Sequence, residues 1–397
     1  MLDSEASTPQ TEALGVSPVP ASTDLCDETS YPEGGLKAWS VVLGAWCAMI
    51  PSMGLLNSLG VLHAWTSTHQ LKDYSESSIG WVCGAYGFFL YFAGAQAGIW
   101  GPDQFVLGGL SAGTLFTPAV SAVGHWFNVR RGYATGIACT AGGIGGVGFP
   151  LIILFAAPQV GFPWAIRIIA LLCLVLCTVA CLLLQTRLPP NQKAGASIDL
   201  AALKDMRYGS TTAAIFLVEF AVFIPITYIA SYALHVEVEE TMAYLQIVFL
   251  NLGAIPGRFL PGLIADRLGR FNVMVLTSLV CAVLTLALWH AAETNLAAII
   301  CYAVLFGFWS GAAISLTPVC ISQVCATEDY GKRNGTTFTI VSVGTLTGIP
   351  IAGAIQQRDG GEYGGLILFG GFLYLAAAVA FAVARGICRG WSLATKF

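Results

Sequence analysis

The sequence predicts an all-α protein that crosses a membrane many times, and three observations carry that prediction. Hydrophobic residues make up 56% of the 397 and charged residues only 10%, with a mean hydropathy of +0.73; a soluble globular chain carries about 25% charged residues. Apolar runs long enough to span a bilayer, which takes about 20 residues, recur along almost the whole chain. Most of the charges fall in short breaks between those runs. The formal net charge of −4 says little by itself, because acids and bases are segregated along the chain.

Taken in order, residues 1–35 hold seven acids and no base, and are rich in Ser, Thr and Pro. Such a segment cannot bury a core, so a disordered acidic tail is expected, on the cytoplasmic side. It has neither the basic nor the apolar region of a signal peptide, so the first helix must target the chain. A first bundle of five helices, 36–184, follows, with apolar runs at 38–62, 79–98, 104–124, 133–157 and 164–184. A polar stretch, 185–210, reads as a central cytoplasmic loop. A second bundle, 211–397, holds six more runs, at 211–234, 242–264, 272–291, 296–320, 336–356 and 364–385, and a short tail. Eleven spanning helices are therefore expected.

The two halves echo each other. Thr117-Pro118 in the first matches Thr317-Pro318 in the second. Each is followed by a basic pair, Arg130-Arg131 or Lys332-Arg333, and then by a glycine-rich run that reaches a proline, Pro150 or Pro350. Two membrane halves built as parallel repeats point to a transporter that rocks about a central site. The bases fall in alternate loops from residue 133 onward, and the positive-inside rule places those loops and the C-terminus in the cytoplasm. The first half breaks the alternation: one crossing is missing between Gly98 and Gln104. The repeat points the same way, since three runs precede Thr317-Pro318 in the second half and only two precede Thr117-Pro118 in the first.

Four motifs carry a family resemblance, which runs from about Tyr31 to Arg389. They are Glu33-Gly34-Gly35-Leu36-Lys37-Ala38-Trp39, Asn57-Ser58-Leu59-Gly60-Val61, His125 to Gly136 with Arg130-Arg131 at its centre, and Gly257 to Arg270 with its Asp266-Arg267-Leu268-Gly269-Arg270 ending. Together they resemble the major facilitator superfamily, and within it fungal members of the monocarboxylate porter family. The resemblance implies a two-bundle fold with twelve helices, of which this chain lacks the third. It implies a secondary active or facilitative transporter of a small organic solute working by alternating access.

The resemblance also implies site roles. Gly262, Asp266, Arg267, Gly269 and Arg270, with Arg130 and Arg131 opposite, are expected to gate the conformational change. Arg258 lies inside a span, where a charge costs about 2.5–3.5 kcal/mol at the helix centre. It reads either as the anchor of an anionic solute group, the role its counterpart serves in animal members, or as a side chain snorkelling to the cytoplasmic surface. Glu219 is the one acid well inside an apolar run, about 12 Å in at 1.5 Å per residue. An ion pair between Glu219 and Arg258 is expected. Asn57 and Ala254 stand where animal members carry a Lys and an Asp, which argues against a simple lactate-like substrate. Phe223, Tyr228 and Trp309, with Phe249 and Phe306, are candidate lining residues for a larger solute.

Other residue types read as structural. Cys173, Cys177 and Cys181 share a helix face and read as small residues at a helix interface. The five histidines read as interfacial residues at helix ends. Asn334-Gly335-Thr336 fits a glycosylation sequon in a loop expected to be cytoplasmic. No phosphate loop, nucleophile elbow, metal-ligand cluster or basic nucleic-acid patch is present. The expectation is a monomeric, multi-pass transporter without cofactor or metal, in the plasma membrane or an internal one such as the vacuole. It is not expected to be an enzyme or to bind nucleic acid. Export of a secondary metabolite or an organic acid leads; uptake of a monocarboxylate or vitamin-like nutrient is the alternative. A non-transporting sensor on the same scaffold, or an inactive truncated form, comes after these.

Overall fold

A computed structural model of the chain describes residues 31–68, 72–96, 108–185, 187, 198–326 and 329–390. Among these, eleven long helices and no strand occur. They are α1 Leu36–Thr68, α2 Glu76–Gln96, α3 Gly108–Trp126, α4 Arg131–Val160, α5 Phe162–Leu183, α6 Met206–His235, α7 Glu240–Leu268, α8 Arg270–Trp289, α9 Leu296–Gln323, α10 Tyr330–Arg358 and α11 Gly364–Arg389. Nine of them, all but α2 and α3, are long and apolar enough to cross a membrane by length and composition. Residues 1–30 of the acidic tail and the missing crossing inferred at 98–104 lie outside the described residues; the last five tail residues are described, and Glu33 among them is ordered by bonds to the backbone of residues 128–130. The described residues from Pro32 onward form one compact unit.

Most helices outrun the apolar segments that predict them, because polar residues extend the first or last turn. The joint between α7 and α8 shows how tight the turns become. One residue, Gly269, separates the helices at φ 97°, a left-handed conformation that glycine adopts without steric cost. Helix α1 is broken twice. Ile50–Gly54 forms a π-turn around Pro51, which has no N–H to give, and Ser58 closes a second break. The Ser58 hydroxyl donates to the Gly54 carbonyl at 2.7 Å, so the loosened backbone stays satisfied inside the bundle.

The largest contacts between the first five helices and the last six are made by two pairs: α2 packs on α10, and α4 packs on α7. Glycines set both crossings. A Cβ at Gly84 of α2 would lie 2.6 Å from the Leu346 carbonyl oxygen, and one at Gly136 of α4 would lie 2.5 Å from the Arg258 carbonyl oxygen. Close backbone approach of this kind is how helices pack where no hydrophobic effect drives them together.

Helix α5 is the least buried of the nine, with 11% of its apolar window covered against 44% for α11, its counterpart in the repeat. The α11 helix packs on α6 and α8, whereas α5 packs on α1 and α4. Cys173 and Cys177 are half-buried and Cys181 is exposed, so the cysteine stripe lies at the edge of an uncovered face rather than within an interface. Two other expectations need correction. Asn334 is fully buried inside α10, not in a loop, because the helix begins four residues earlier at Tyr330. His63 is fully buried, not interfacial, because α1 runs one and a half turns past it.

Replacing Gly136 by Ala should lower the melting temperature, since overpacking costs about 1–3 kcal/mol. Gly148→Ala, where a new Cβ meets nothing within 4 Å, should leave it unchanged or raise it slightly. Thermal melts of the two purified variants check the contrast.

Candidate functional site

The polar groups of the bundle interior cluster at three depths along the seam between the first five helices and the last six. At the basic end, the N-terminus of α4 is held by two carboxylates. The first turn of a helix leaves N–H groups without intrahelical partners. Glu33 accepts from the backbone N–H of Asn128 and Val129 at 2.7 Å each and from that of Arg130 at 3.1 Å. Asp266, from the end of α7, accepts from the Tyr133 N–H at 3.1 Å. Residue 132 has no room for a side chain: a Cβ there would lie 2.6 Å from an Asp266 oxygen. Negative charge at this position also meets the positive end of the helix dipole.

The same corner carries the predicted gating bases, and they do different things. Arg270 pairs with Asp266 at 3.5 Å and donates to the Asn128 carbonyl at 3.3 Å. Arg131 is buried; it donates to the carbonyls of Phe127 and Gly124 and lies 5.5 Å from the centre of the Tyr330 ring on α10. Gly262 passes close to the Gly132 backbone, and Gly269 makes the turn described above. Arg130 and Arg267 are exposed, and their side chains join neither contact set; Arg130 takes part only through its backbone N–H.

Deeper in the bundle, Asn57 and Arg258 come together. Both reach Gly142 of α4, where a Cβ would run into the Arg258 guanidinium and lie 3.1 Å from Asn57 Nδ2. Asn57 donates to the Gly142 carbonyl at 3.0 Å, and Arg258 donates to the Cys139 carbonyl at 2.7 Å. Arg258 is 1% exposed, so it does not snorkel. The expected Glu219–Arg258 ion pair does not form. Among the described residues, Arg258 has no carboxylate within ion-pair distance, and its buried Nε has no hydrogen-bond partner. The guanidinium crosses to α4, while Glu219 accepts from Tyr91 of α2 at 3.2 Å and lies 3.3 Å from the Thr317 hydroxyl of α9.

Of the aromatic candidates, Phe223 packs near Tyr91 with ring centres 6.3 Å apart. Tyr91, Phe116 and Phe338 close the seam beneath it, with Tyr91 and Phe338 stacked at 5.0 Å. Tyr228 belongs to another layer: it donates to the Ile349 carbonyl at 2.9 Å and packs on His63, which faces Glu76 at 3.3 Å. Trp309 is half-buried against Phe308, and Phe249 is half-buried too. Phe306 is buried between Tyr302 and Tyr374, away from the seam residues. At this far end the halves meet again, through Ser77 donating to the Pro350 carbonyl at 3.2 Å and a Thr68–Tyr244 contact at 3.4 Å.

Sequence reasoning missed Asn251 and Tyr91. Asn251 is fully buried and donates to the Asn57 carbonyl at 3.4 Å. Its seven-residue spacing from Arg258 puts both on one helix face, a signal that was legible. Tyr91 sits among apolar residues and small glycines, where nothing in the sequence distinguishes it from packing.

The Major Facilitator Superfamily model matches residues 105–349 and 252–391. The MFS transporter asaE of Aspergillus flavus is 35% identical over 402 positions, covering 92% of this chain and 90% of that one. The riboflavin transporter MCH5 of Saccharomyces cerevisiae is 33% identical, covering 91% and 80%. The aspyridones efflux protein apdF of Emericella nidulans is 32% identical, covering 87% and 79%. Among solved structures, the human organic anion transporter MFSD10 aligns with a TM-score of 0.64 at 12% identity, over 88% of this chain and 100% of that one.

Replacing Glu33 by Ala leaves three exposed N–H groups to water and should destabilise the protein by about 0.5–2 kcal/mol, as loss of a helix cap does. Glu33→Gln, which keeps one carbonyl oxygen, should lose less. Thermal denaturation of both variants reads the order.

Proposed function

The chain belongs to the Major Facilitator Superfamily and is a multi-pass membrane transporter of a small organic solute, and on that premise we propose that it exports a fungal secondary metabolite with an acidic group. The efflux relative supports the export direction. The observation that carries the acidic group is Arg258. Among the described residues this buried guanidinium bonds only to a backbone carbonyl, a costly arrangement that an anionic oxygen would relieve. Asn57 stands beside it at Gly142 as a second polar contact. Phe223 is placed to face an apolar part of the solute, with Glu219 below; Tyr228 and Trp309 take no direct part in this arrangement.

Membership of the monocarboxylate porter branch is the finer reading. It is supported by the way its two signature stretches meet, with Glu33 bonded to the backbone of Asn128 to Arg130 and Trp39 against Phe127 at 5.2 Å. Gating follows from the Asp266 contact. Rocking the halves apart at the basic end removes Asp266 from the α4 N-terminus and Arg131 from Tyr330, and such contacts are weak enough to be exchanged.

A third helix absent from this chain is supported by two observations. The alignment with asaE runs over 402 positions while using 92% of a 397-residue chain, so that relative holds internal residues this chain does not. Among the described residues, helix α5 also lacks the neighbour that α8 provides for α11. Sequencing the transcript across codons 95–106 reads this directly: an extra in-frame exon is expected, and an unbroken match to the present sequence would count against it. We place the protein as a monomer in the plasma membrane. Uptake of a vitamin-like nutrient is the second reading, favoured by the riboflavin transporter among the relatives.

Deleting the gene should lower one acidic metabolite in the medium and raise it in the cells. Restoring wild type should reverse this. Arg258→Gln should transport at least about tenfold more slowly, a loss of about 1.4 kcal/mol or more. Unchanged metabolite profiles in the deletion strain would sink the export reading, and a fall inside the cells instead would favour uptake.

A further inference from the structure

Glu219 is 1% exposed, and Tyr91 and Thr317 beside it are fully buried. No Lys or Arg among the described residues lies within ion-pair distance of its carboxyl group. Its two oxygens face two hydroxyl groups. Counting hydrogens at those hydroxyls shows which protonation states of the carboxyl group the geometry accommodates. Tyr91 has one hydroxyl hydrogen and directs it to Glu219 Oε2 at 3.2 Å. Thr317 also has one, but two acceptors are within reach: the Ala313 carbonyl at 2.9 Å and Glu219 Oε1 at 3.3 Å. The helical carbonyl is the closer. With the hydrogen committed there, the Thr317 oxygen offers only lone pairs to Glu219. In that arrangement a hydrogen on Glu219 Oε1 completes the 3.3 Å contact; with the Thr317 hydrogen turned to Oε1 instead, a carboxylate completes it.

We propose that Glu219 Oε1 is a proton-binding site, donating to Thr317 when occupied, and that its loading and release couple solute movement to a proton. The coupling half of this rests on the transport function proposed above; the proton site does not. The chemistry is an O–H bond formed and broken. A proton from water on one side of the membrane forms the bond at Oε1 and a neutral carboxyl group. Release to water on the other side breaks it and leaves the carboxylate. The Thr317 hydroxyl then turns from the Ala313 carbonyl to Oε1, so each state has a complete hydrogen-bond set. Thr317 precedes Pro318, whose missing N–H already loosens the helix there.

The site lies between the halves. Tyr91 belongs to α2, whereas Glu219 and Thr317 belong to α6 and α9. Opening the seam from the basic end withdraws Tyr91 and admits water to the carboxyl group. The other ionisable groups within electrostatic reach are Arg258 of α7, Cys139 of α4 and Tyr374 of α11. Arg258 is the only cation of these, and a solute anion bound to it would alter the field at Glu219. Proton and solute occupancy are thereby linked.

Infrared difference spectroscopy on the purified full chain tests the site without any solute. The wild type should show a protonated-carboxyl band at mildly acidic pH that disappears at alkaline pH as a carboxylate band appears in its place. Glu219→Gln, which preserves size and hydrogen bonding, should lack that band, while Glu76→Gln should retain it. Thr317→Val removes the acceptor and should shift both the band frequency and its midpoint. The same titrating band in wild type and Glu219→Gln overturns the proposal. So does a wild-type band that never releases its proton, or a band unmoved by Thr317→Val should Glu219→Gln fail to fold. Because nothing is transported in this measurement, its outcome is independent of the metabolite comparison.

Discussion

Three ionisable groups along the seam, Asp266, Arg258 and Glu219, bond to neutral partners on the opposite half, and the rest of the structure follows from that arrangement. Asp266 reaches the Tyr133 N–H, Arg258 the Cys139 carbonyl, and Glu219 the Tyr91 hydroxyl. An isolated charge in an apolar interior is expensive, so each needs a partner at every stage of a conformational cycle. A hydrogen bond from a neutral group to a charge contributes about 1.5–3 kcal/mol, enough to hold a state and little enough to leave it. Opposite charges locked across the seam would leave larger unpaired costs on opening. Glycine crossings make the arrangement possible, because only helices at backbone distance let short polar side chains reach across.

The two ends of the seam are built differently. At the basic end, helix N-terminus chemistry dominates: carboxylates from α7 and from the segment before α1 meet at the start of α4. Glu33 and Asp266 therefore read one structure from opposite sides. The Glu33 contacts lie within the first five helices, so moving one half breaks the Asp266 contact and leaves those of Glu33 in place. At the far end, hydroxyl-to-carbonyl contacts and packed aromatics do the joining, with Ser77 on Pro350 and Tyr228 on His63. Charge governs closure at one face and packing governs it at the other.

Much of the fold was legible in the sequence because membrane helices announce themselves as long apolar runs. All eleven described helices sit on the expected runs, though most extend further at one or both ends, where polar residues continue the first or last turn. Asn57 and Arg258 were legible as polar residues in apolar surroundings, and they do meet at Gly142. Their partners were not, because Cys139 and Gly142 contribute only backbone carbonyls, which every residue carries. The expected Glu219–Arg258 pair failed for a related reason. Equal depth on neighbouring helices fixes height along the bundle and leaves the direction of each side chain open, and these two turn to different helices. Tyr91 was invisible because a hydroxyl at the seam and a ring in the core are the same letter.

Whether the halves separate at the basic end can be read as a distance. Val129 and Leu268 are exposed, on the α3–α4 loop and at the end of α7, on opposite sides of the Asp266 contact. Spin labels at these two positions, with other reactive cysteines replaced, report the gap in reconstituted protein. Alternating access predicts two distance populations whose ratio shifts toward the longer one in Asp266→Asn. A single short distance in both proteins would contradict it.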